Sequence, residues 1–173
     1  MSSIIKREGY EIPIGDLKDK VVVLGSDHRS FEYKQRIAEF LKGLGYETID
    51  VGTFSKDRCD YPGISDKIGE EVERDYLHRV GIGICGSGIG ILIPASKHKR
   101  VLTARCLTDK EAETSRKHNN SNVLGIGADY INLETAFLVI RKWLETGFYS
   151  GPEDESYLNR YIQTLKLEER VGK

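Results

Sequence analysis

Residues 79–91 read Arg79-Val80-Gly81-Ile82-Gly83-Ile84-Cys85-Gly86-Ser87-Gly88-Ile89-Gly90-Ile91. The stretch 79–84 is a short apolar run, the pattern of a strand covered on both faces. Cys85 closes the run, Gly86, Gly88 and Gly90 alternate behind it, and the spacing beyond predicts a helix over 89–97. A strand that breaks into a glycine turn and then a helix is half of a βαβ unit. The turn also carries chemistry. Bare peptide N–H groups where a helix begins favour an anion, and a thiol in that field is drawn toward thiolate, a base or nucleophile. The bland reading makes Cys85 a small buried hydrophobe and the glycines a packing device. Three glycines in register behind the thiol tip the balance toward function.

The same alternation extends in both directions. Before the quoted stretch, Val21-Val22-Val23-Leu24-Gly25 reads as a strand and Ser26-Asp27-His28-Arg29 as a polar turn. Ile37, Phe40, Leu41 and Leu44 then keep helical spacing up to Gly43 and Gly45. A strand over 46–51, a loop closed by Asp60-Tyr61-Pro62, and a helix with Ile64, Ile68, Val72 and Tyr76 complete that side. Beyond it come a strand over 101–105, a capping box at Thr108–Glu111 opening a helix over 109–118, and a strand over 122–126. A helix over 132–146 follows, then one over 154–168 after Gly151-Pro152. Five short strands separated by amphipathic helices predict an α/β fold with a parallel sheet covered on both faces. In such sheets ligands bind beyond the carboxyl ends of the strands, which selects the loops 26–29, 52–62, 85–88 and 106–108. Residues 1–19 show no sustained period and are expected to be an extension docked on a single domain, 20–173. The last helix has an apolar stripe that fits either its own sheet or a second subunit.

Composition narrows the function. The 173 residues include 26 Lys plus Arg against 27 Asp plus Glu, a net charge of −1, so no surplus of cations exists to neutralise a phosphate backbone. Nucleic acid is not the expected partner, and no apolar run reaches the length of a membrane span. Cys59, Cys85 and Cys106 form no CxxC pair, which argues against a disulfide framework or zinc knuckle. Charges interrupt the first eight residues, unlike a secretion signal, so a cytoplasmic location is expected. There is no HExxH and no Cys/His cluster, hence no expected metal site.

Two letter matches fail on mechanics. Gly81-x-Gly83-x-x-Gly86 fits a dinucleotide fingerprint, but its first two glycines fall inside the strand rather than in the turn. A phosphatase loop of the low-molecular-weight type needs an arginine six residues after the cysteine, and Ile91 stands there. The remaining polar candidates are Asp27-His28, Asp60-Tyr61 and the run Arg116-Lys117-His118-Asn119-Asn120. A lone His near a helix C-terminus is more often a cation complementing the dipole; His28, beside an aspartate at a strand end, is harder to dismiss.

Gly25-Ser26-Asp27-His28, Asp50-Val51-Gly52-Thr53, Asp60-Tyr61-Pro62, Ile84-Cys85-Gly86-Ser87-Gly88-Ile89-Gly90 and Ser115-Arg116-Lys117-His118-Asn119 followed by Asn122-Val123-Leu124 resemble, in order and spacing, type B ribose-5-phosphate isomerases and the related galactose-6-phosphate isomerase subunits. The likeness runs from about residue 20 to 165. It implies a Rossmann-like three-layer α/β/α sandwich with a five-stranded parallel sheet. It also implies a homodimer with active sites shared between subunits, no metal or organic cofactor, and interconversion of ribose 5-phosphate and ribulose 5-phosphate through a cis-enediolate. By the same resemblance, Cys85 is the base moving the proton between C1 and C2, and Ser87 assists at the enediolate. The N–H groups of Gly86, Ser87, Gly88 and Gly90 form an anion hole. His118, with Asp27 or Asp60, opens the sugar ring. Asn119 binds a hydroxyl or oxyanion, His28 of the partner subunit approaches the phosphate, and Tyr61 and Arg160 contact substrate.

The chain also departs from the pattern. After the fifth strand the ribose-phosphate enzymes usually carry an arginine where this chain has Asp129, and Ser156 replaces the first of two arginines usually found four apart on the last helix, Arg160 matching the second. Arg29, Arg58 and Lys97 are candidate compensating cations. Two alternatives follow: the same chemistry on another four- to six-carbon sugar or sugar phosphate, or a non-catalytic sugar- or anion-binding module. The second is weakened by the presence of Cys85, Ser87 and His118, which a pure binder does not need.

Overall fold

In the computed structural model of the chain, which describes residues 3–171, five strands form one sheet. They are β3 (Val21–Ser26), β4 (Thr48–Gly52), β5 (Arg79–Cys85), β6 (Thr103–Arg105) and β7 (Val123–Gly127), preceded by a separate pair, β1 (Ser3–Arg7) and β2 (Tyr10–Ile14). The main sheet has the order β4-β3-β5-β7-β6 with every pairing parallel. The helices are α1 (Phe31–Gly43), α2 (Tyr61–Arg74), α3 (Asp109–Asn119), α4 (Leu133–Glu145) and α5 (Glu155–Val171). This is the expected Rossmann-like arrangement, with boundaries within one or two residues of the sequence reading for most elements.

Alternation along the strands divides the core. Val22, Leu24, Ile82, Ile84, Leu124 and Ile126 point to a layer made by α1, α3 and α4, where Ile37, Leu41, Ile140 and Trp143 are buried. Val23 and Val123 face the other way, against Ile68 and Val72 of α2 and against Ile91 and Leu92. That second layer is thinner than expected. The helix predicted over 89–97 is absent, replaced by two 3-10 turns, Gly90–Leu92 and Ala95–Lys97. Pro94 explains the correction: in an α-helix it would remove the hydrogen bond to residue 90 and its ring would strike that carbonyl. Tyr76, read as the last apolar position of its helix, lies beyond the end of α2.

The N-terminal segment is more ordered than its irregular sequence suggests. β1 and β2 pair antiparallel through a two-residue turn at Glu8 and Gly9, both with positive φ (49° and 88°), the primed geometry that suits hairpin twist. Tyr10 and Ile12 are buried against Phe148 and against Leu158, Tyr161, Ile162 and Leu165 of α5. Leu158, Tyr161, Ile162 and Leu165 of the α5 stripe are thus covered within the chain by the N-terminal hairpin and Phe148. Below the hairpin, the fully buried Arg116 donates to the carbonyls of Gly15, Ser121 and Thr146 and to Asn120 Oδ1. Burial pulls its pKa down to about 10.

His98 ties the second 3-10 turn to α2: Nε2 lies 2.8 Å from an Asp66 carboxylate oxygen and Nδ1 2.9 Å from one of Glu73. Burial opposes its protonation, but the hydrogen bonds to Asp66 and Glu73 outweigh it and its pKa is raised above the usual 6.5. A raised folded-state value means the pairing stabilises fully below the unfolded value and fades as pH rises through the folded one. His98→Asn is therefore expected to cost more stability at pH 5.5 than at pH 8.5 in denaturant titrations. An equal cost at both would show that the positive charge on His98 adds nothing to folding.

Candidate functional site

Cys85 is the last residue of β5, level with Gly127 of β7. Its side chain is 5% exposed and packs in the cluster containing Val23, Ile68 and Ile91. A backbone amide nevertheless converges on it: the Gly88 N–H donates to Sγ at 3.2 Å. Ser87 Oγ lies 3.9 Å from the sulfur and accepts from the Ile89 N–H at 3.2 Å. The field at the thiol differs in origin from that expected. With no α-helix after the loop there is no macrodipole of several turns, and the donor is the Gly88 amide of the loop itself.

The loop holds its shape because β7 lies directly beneath it. Gly88 has φ +71°, and a Cβ there would fall 2.7 Å from the Gly127 nitrogen; a Cβ on Gly127 would fall 2.7 Å from the Ser87 carbonyl oxygen. Only glycine permits that approach on both sides. Arg105, closing β6, donates from Nε to the Ser87 carbonyl at 2.7 Å, with its guanidinium carbon 4.8 Å from the centre of the Tyr130 ring.

Neighbouring strand ends bring more of the predicted residues to this edge. Asp27, after β3, is 9% exposed; its Oδ1 accepts from the Ser30 N–H at 3.0 Å. His28 Nδ1 is 2.9 Å from the Cys59 carbonyl oxygen, which ties the turn after β3 to the loop before α2. Asp60 is the N-cap of α2, but its exposed carboxylate makes no capping bond. The Tyr61 ring covers Gly90, where a Cβ would come within 3.0 Å of it. Of the three candidate compensating cations, Arg29 reaches the glycine loop. It pairs with Asp129 at 3.0 Å, the Asp129 N–H donates to the Gly86 carbonyl at 3.0 Å, and the carboxylate leaves no room for a Cβ on Gly86. Cys106, just past the end of β6, is buried, and burial pushes its thiol up to about 11, which suits a packing role.

His118, Asn119 and Arg160 are elsewhere. α3 starts after the carboxyl end of β6 and runs back to the amino end of β7, a span of about 16 Å for its 11 residues. His118 and Asn119 end it, so one chain holds them at the opposite end of the sheet from Cys85. There they share a cavity of about 260 Å³ with Arg160, Thr103 and Tyr161. The candidate residues therefore fall into two groups: Cys85, Ser87, Asp27, His28, Asp60 and Tyr61 with the glycine loop at one end of the sheet, and His118, Asn119 and Arg160 at the other. The sequence reading missed Arg105, whose place at the end of the edge strand beside β7 was the available signal. It counted Tyr157 only as part of an apolar stripe, whereas the ring stacks on His118 at 4.2 Å.

Residues 22–160 match the family model described as Ribose/Galactose Isomerase. Among curated proteins, the chain is 36% identical over 132 residues to ribose-5-phosphate isomerase B of Escherichia coli, covering 76% of this chain and 88% of that one. It is 33% identical over 152 residues to a putative sugar phosphate isomerase of Rickettsia bellii, covering 88% and 100%. Among solved structures, ribose-5-phosphate isomerase B of Clostridium thermocellum superposes with a TM-score of 0.80 at 34% identity, over 87% of this chain and 99% of that one. The Mycoplasma genitalium enzyme with bound ribulose-5-phosphate does so with a TM-score of 0.80 at 27% identity, over 86% and 96%.

Proposed function

Because the chain belongs to the ribose/galactose isomerase family of sugar-phosphate isomerase enzymes, we propose that it interconverts ribose 5-phosphate and ribulose 5-phosphate through a cis-enediolate, with Cys85 as the base. The observation that carries this reading is the Cys85 sulfur at the end of a central strand, with the Gly88 amide on it and a glycine loop around it. In the opened aldose, the Cys85 thiolate takes the proton from C2. The electron pair moves toward the C1 carbonyl and gives an enediolate, and the same proton returns at C1 as the proton on O2 moves to O1. Negative charge grows on the two oxygens, where fixed N–H donors are worth most; losing one such donor costs roughly 3–4 kcal/mol in other enzymes. The amides of Gly86, Ser87, Gly88 and Gly90 and the Ser87 hydroxyl fill that role.

Ring opening falls to His118, with Asp27 or Asp60 as its acid–base counterpart, and Asn119 binds a sugar oxygen. Since one chain keeps His118 and Cys85 at opposite ends of the sheet, the working site takes its thiol half from one copy and its imidazole half from another. His28 and Arg160 then converge on the phosphate across the same boundary. A homodimer is the smallest assembly that completes two such sites.

A second reading keeps the chemistry and changes the sugar. It is favoured by the Asp129 carboxylate over Gly86, which repels an anion there unless Arg29 offsets it, and by Ser156 where a cation is expected. Turnover of four- to six-carbon aldoses with and without a terminal phosphate separates the two. The first reading expects the highest kcat/KM with ribose 5-phosphate, and about a 10- to 100-fold loss for each charge-assisted phosphate contact missing from free ribose. A clear preference for another sugar supports the second.

A further inference from the structure

Three of the four histidines are pinned by hydrogen bonds: His28 to Cys59, His78 to Asp75, and His98 to Asp66 and Glu73. His118 differs. Among the described residues neither of its ring nitrogens has a hydrogen-bond partner, and the contact that orients the ring is a stack. The imidazole lies on Tyr157 with centroids 4.2 Å apart and planes 11° from parallel. Histidines that move protons usually have one ring nitrogen held by a carbonyl or carboxylate. A stacked ring keeps its orientation while both nitrogens stay open to a substrate.

The platform under that stack is firmly built. Tyr157 sits in the first turn of α5, and the residues behind it, Leu158, Tyr161, Ile162 and Leu165, are buried against Tyr10 and Ile12 of the N-terminal hairpin. The Arg160 guanidinium carbon lies 5.5 Å from the centre of the Tyr157 ring, an attractive distance for a cation over an aromatic face. On the His118 side, the Arg116 guanidinium holds Asn120 Oδ1 at 2.8 Å and the Ser121 carbonyl at 2.7 Å. The backbone just after His118 is therefore fixed, leaving the ring's own rotation to be set by Tyr157.

We propose that Tyr157 is a positioning residue that holds the His118 imidazole in the attitude needed to open the sugar ring. This rests on the isomerase reading above and adds to it a residue on α5. Its contribution is the flat face of the ring rather than the hydroxyl, so phenylalanine should serve and an aliphatic side chain should not. It bears on ring opening alone, because the proton transfer at Cys85 belongs to the other half-site.

The two steps can be read separately. Ribulose 5-phosphate has its C5 oxygen blocked and stays open-chain, so exchange of its C1 hydrogen with deuterium oxide needs the base but no ring opening. Turnover of cyclic ribose 5-phosphate needs both. Tyr157→Leu is expected to lower kcat on ribose 5-phosphate by about 10- to 100-fold, the scale for a misplaced catalytic group, with KM and the deuterium exchange changed less than threefold. Tyr157→Phe should restore kcat to within about threefold of wild type. The His118 ring protons should lose their ring-current shift in the Leu variant and keep it in the Phe variant. If Tyr157→Leu slows exchange as much as turnover, or if Tyr157→Phe fails like Tyr157→Leu, the positioning role is overturned while the isomerase reading stands. If the wild-type protein exchanges no hydrogen of the ketose phosphate, both fall together.

Discussion

Cys85→Ala is expected to lower kcat on ribose 5-phosphate by about 10³-fold, within the range for loss of a general base, while substrate binding measured by calorimetry changes little. Two features of the site set this expectation. The sulfur is the titratable side-chain atom on which a loop amide converges, at 3.2 Å from the Gly88 nitrogen, and the loop amides proposed to hold the enediolate remain in place when the thiol is cut back to a methyl group. Cys85→Ser should stay low as well, because a hydroxyl in the same place is a far weaker base than a thiolate. Exchange of the ketose C1 hydrogen should vanish in both variants. Exchange at the wild-type rate in Cys85→Ala would remove the thiol from the reaction.

Gly88→Ala should be the most damaging small substitution in the loop. Its φ of +71° places a side chain in the left-handed region, and the new methyl group would meet the Gly127 backbone at 2.7 Å. The conformational strain of about 1–2 kcal/mol adds to overpacking of about 1–3 kcal/mol. The expected loss of stability is thus about 2–5 kcal/mol by denaturant titration. Activity should fall further than stability predicts, because relief of the clash pulls the Gly88 amide from the sulfur. Gly45→Ala is the matched comparison, with φ +86° and nothing within 4 Å of the added methyl, so it carries the strain alone. Equal costs for the two would mean that the loop is not pinned against β7.

Where the sequence was readable, local chemistry and tertiary packing agree. β5 and its glycine turn announce themselves because a strand buried on both faces leaves only apolar residues and glycine from Val80 to Cys85. The capping box at Thr108 is present with both of its hydrogen bonds. The reading fails where long-range packing decides the outcome. The hairpin over residues 3–14 has only the short alternation of Tyr10 and Ile12, and its turn uses Glu8-Gly9 in place of a more telling Asn-Gly. What makes it ordered is α5, more than a hundred residues away. The helix expected over 89–97 fails for a local reason instead, since Pro94 breaks it too soon after the glycines. Half of the candidate site could be found from strand ends alone. The other half, His118 with Asn119 and Arg160, lies at the far end of the sheet, and no rule about the carboxyl ends of strands in one chain brings it to Cys85. Arg105 and Tyr157 stayed hidden because each is marked out by a contact with a residue distant in sequence, Ser87 and His118 respectively.

In the proposed dimer, one copy supplies Cys85 and another supplies His118 to a single site. Two inactive variants, Cys85→Ala and His118→Ala, mixed under conditions that allow subunits to exchange, distinguish this arrangement from a site built within one chain. With shared sites, each variant alone is nearly inactive and the mixture regains about a quarter of wild-type activity, because half of the dimers are mixed and each of those carries one intact site. A mixture that stays inactive after native mass spectrometry has shown mixed dimers would overturn the shared site.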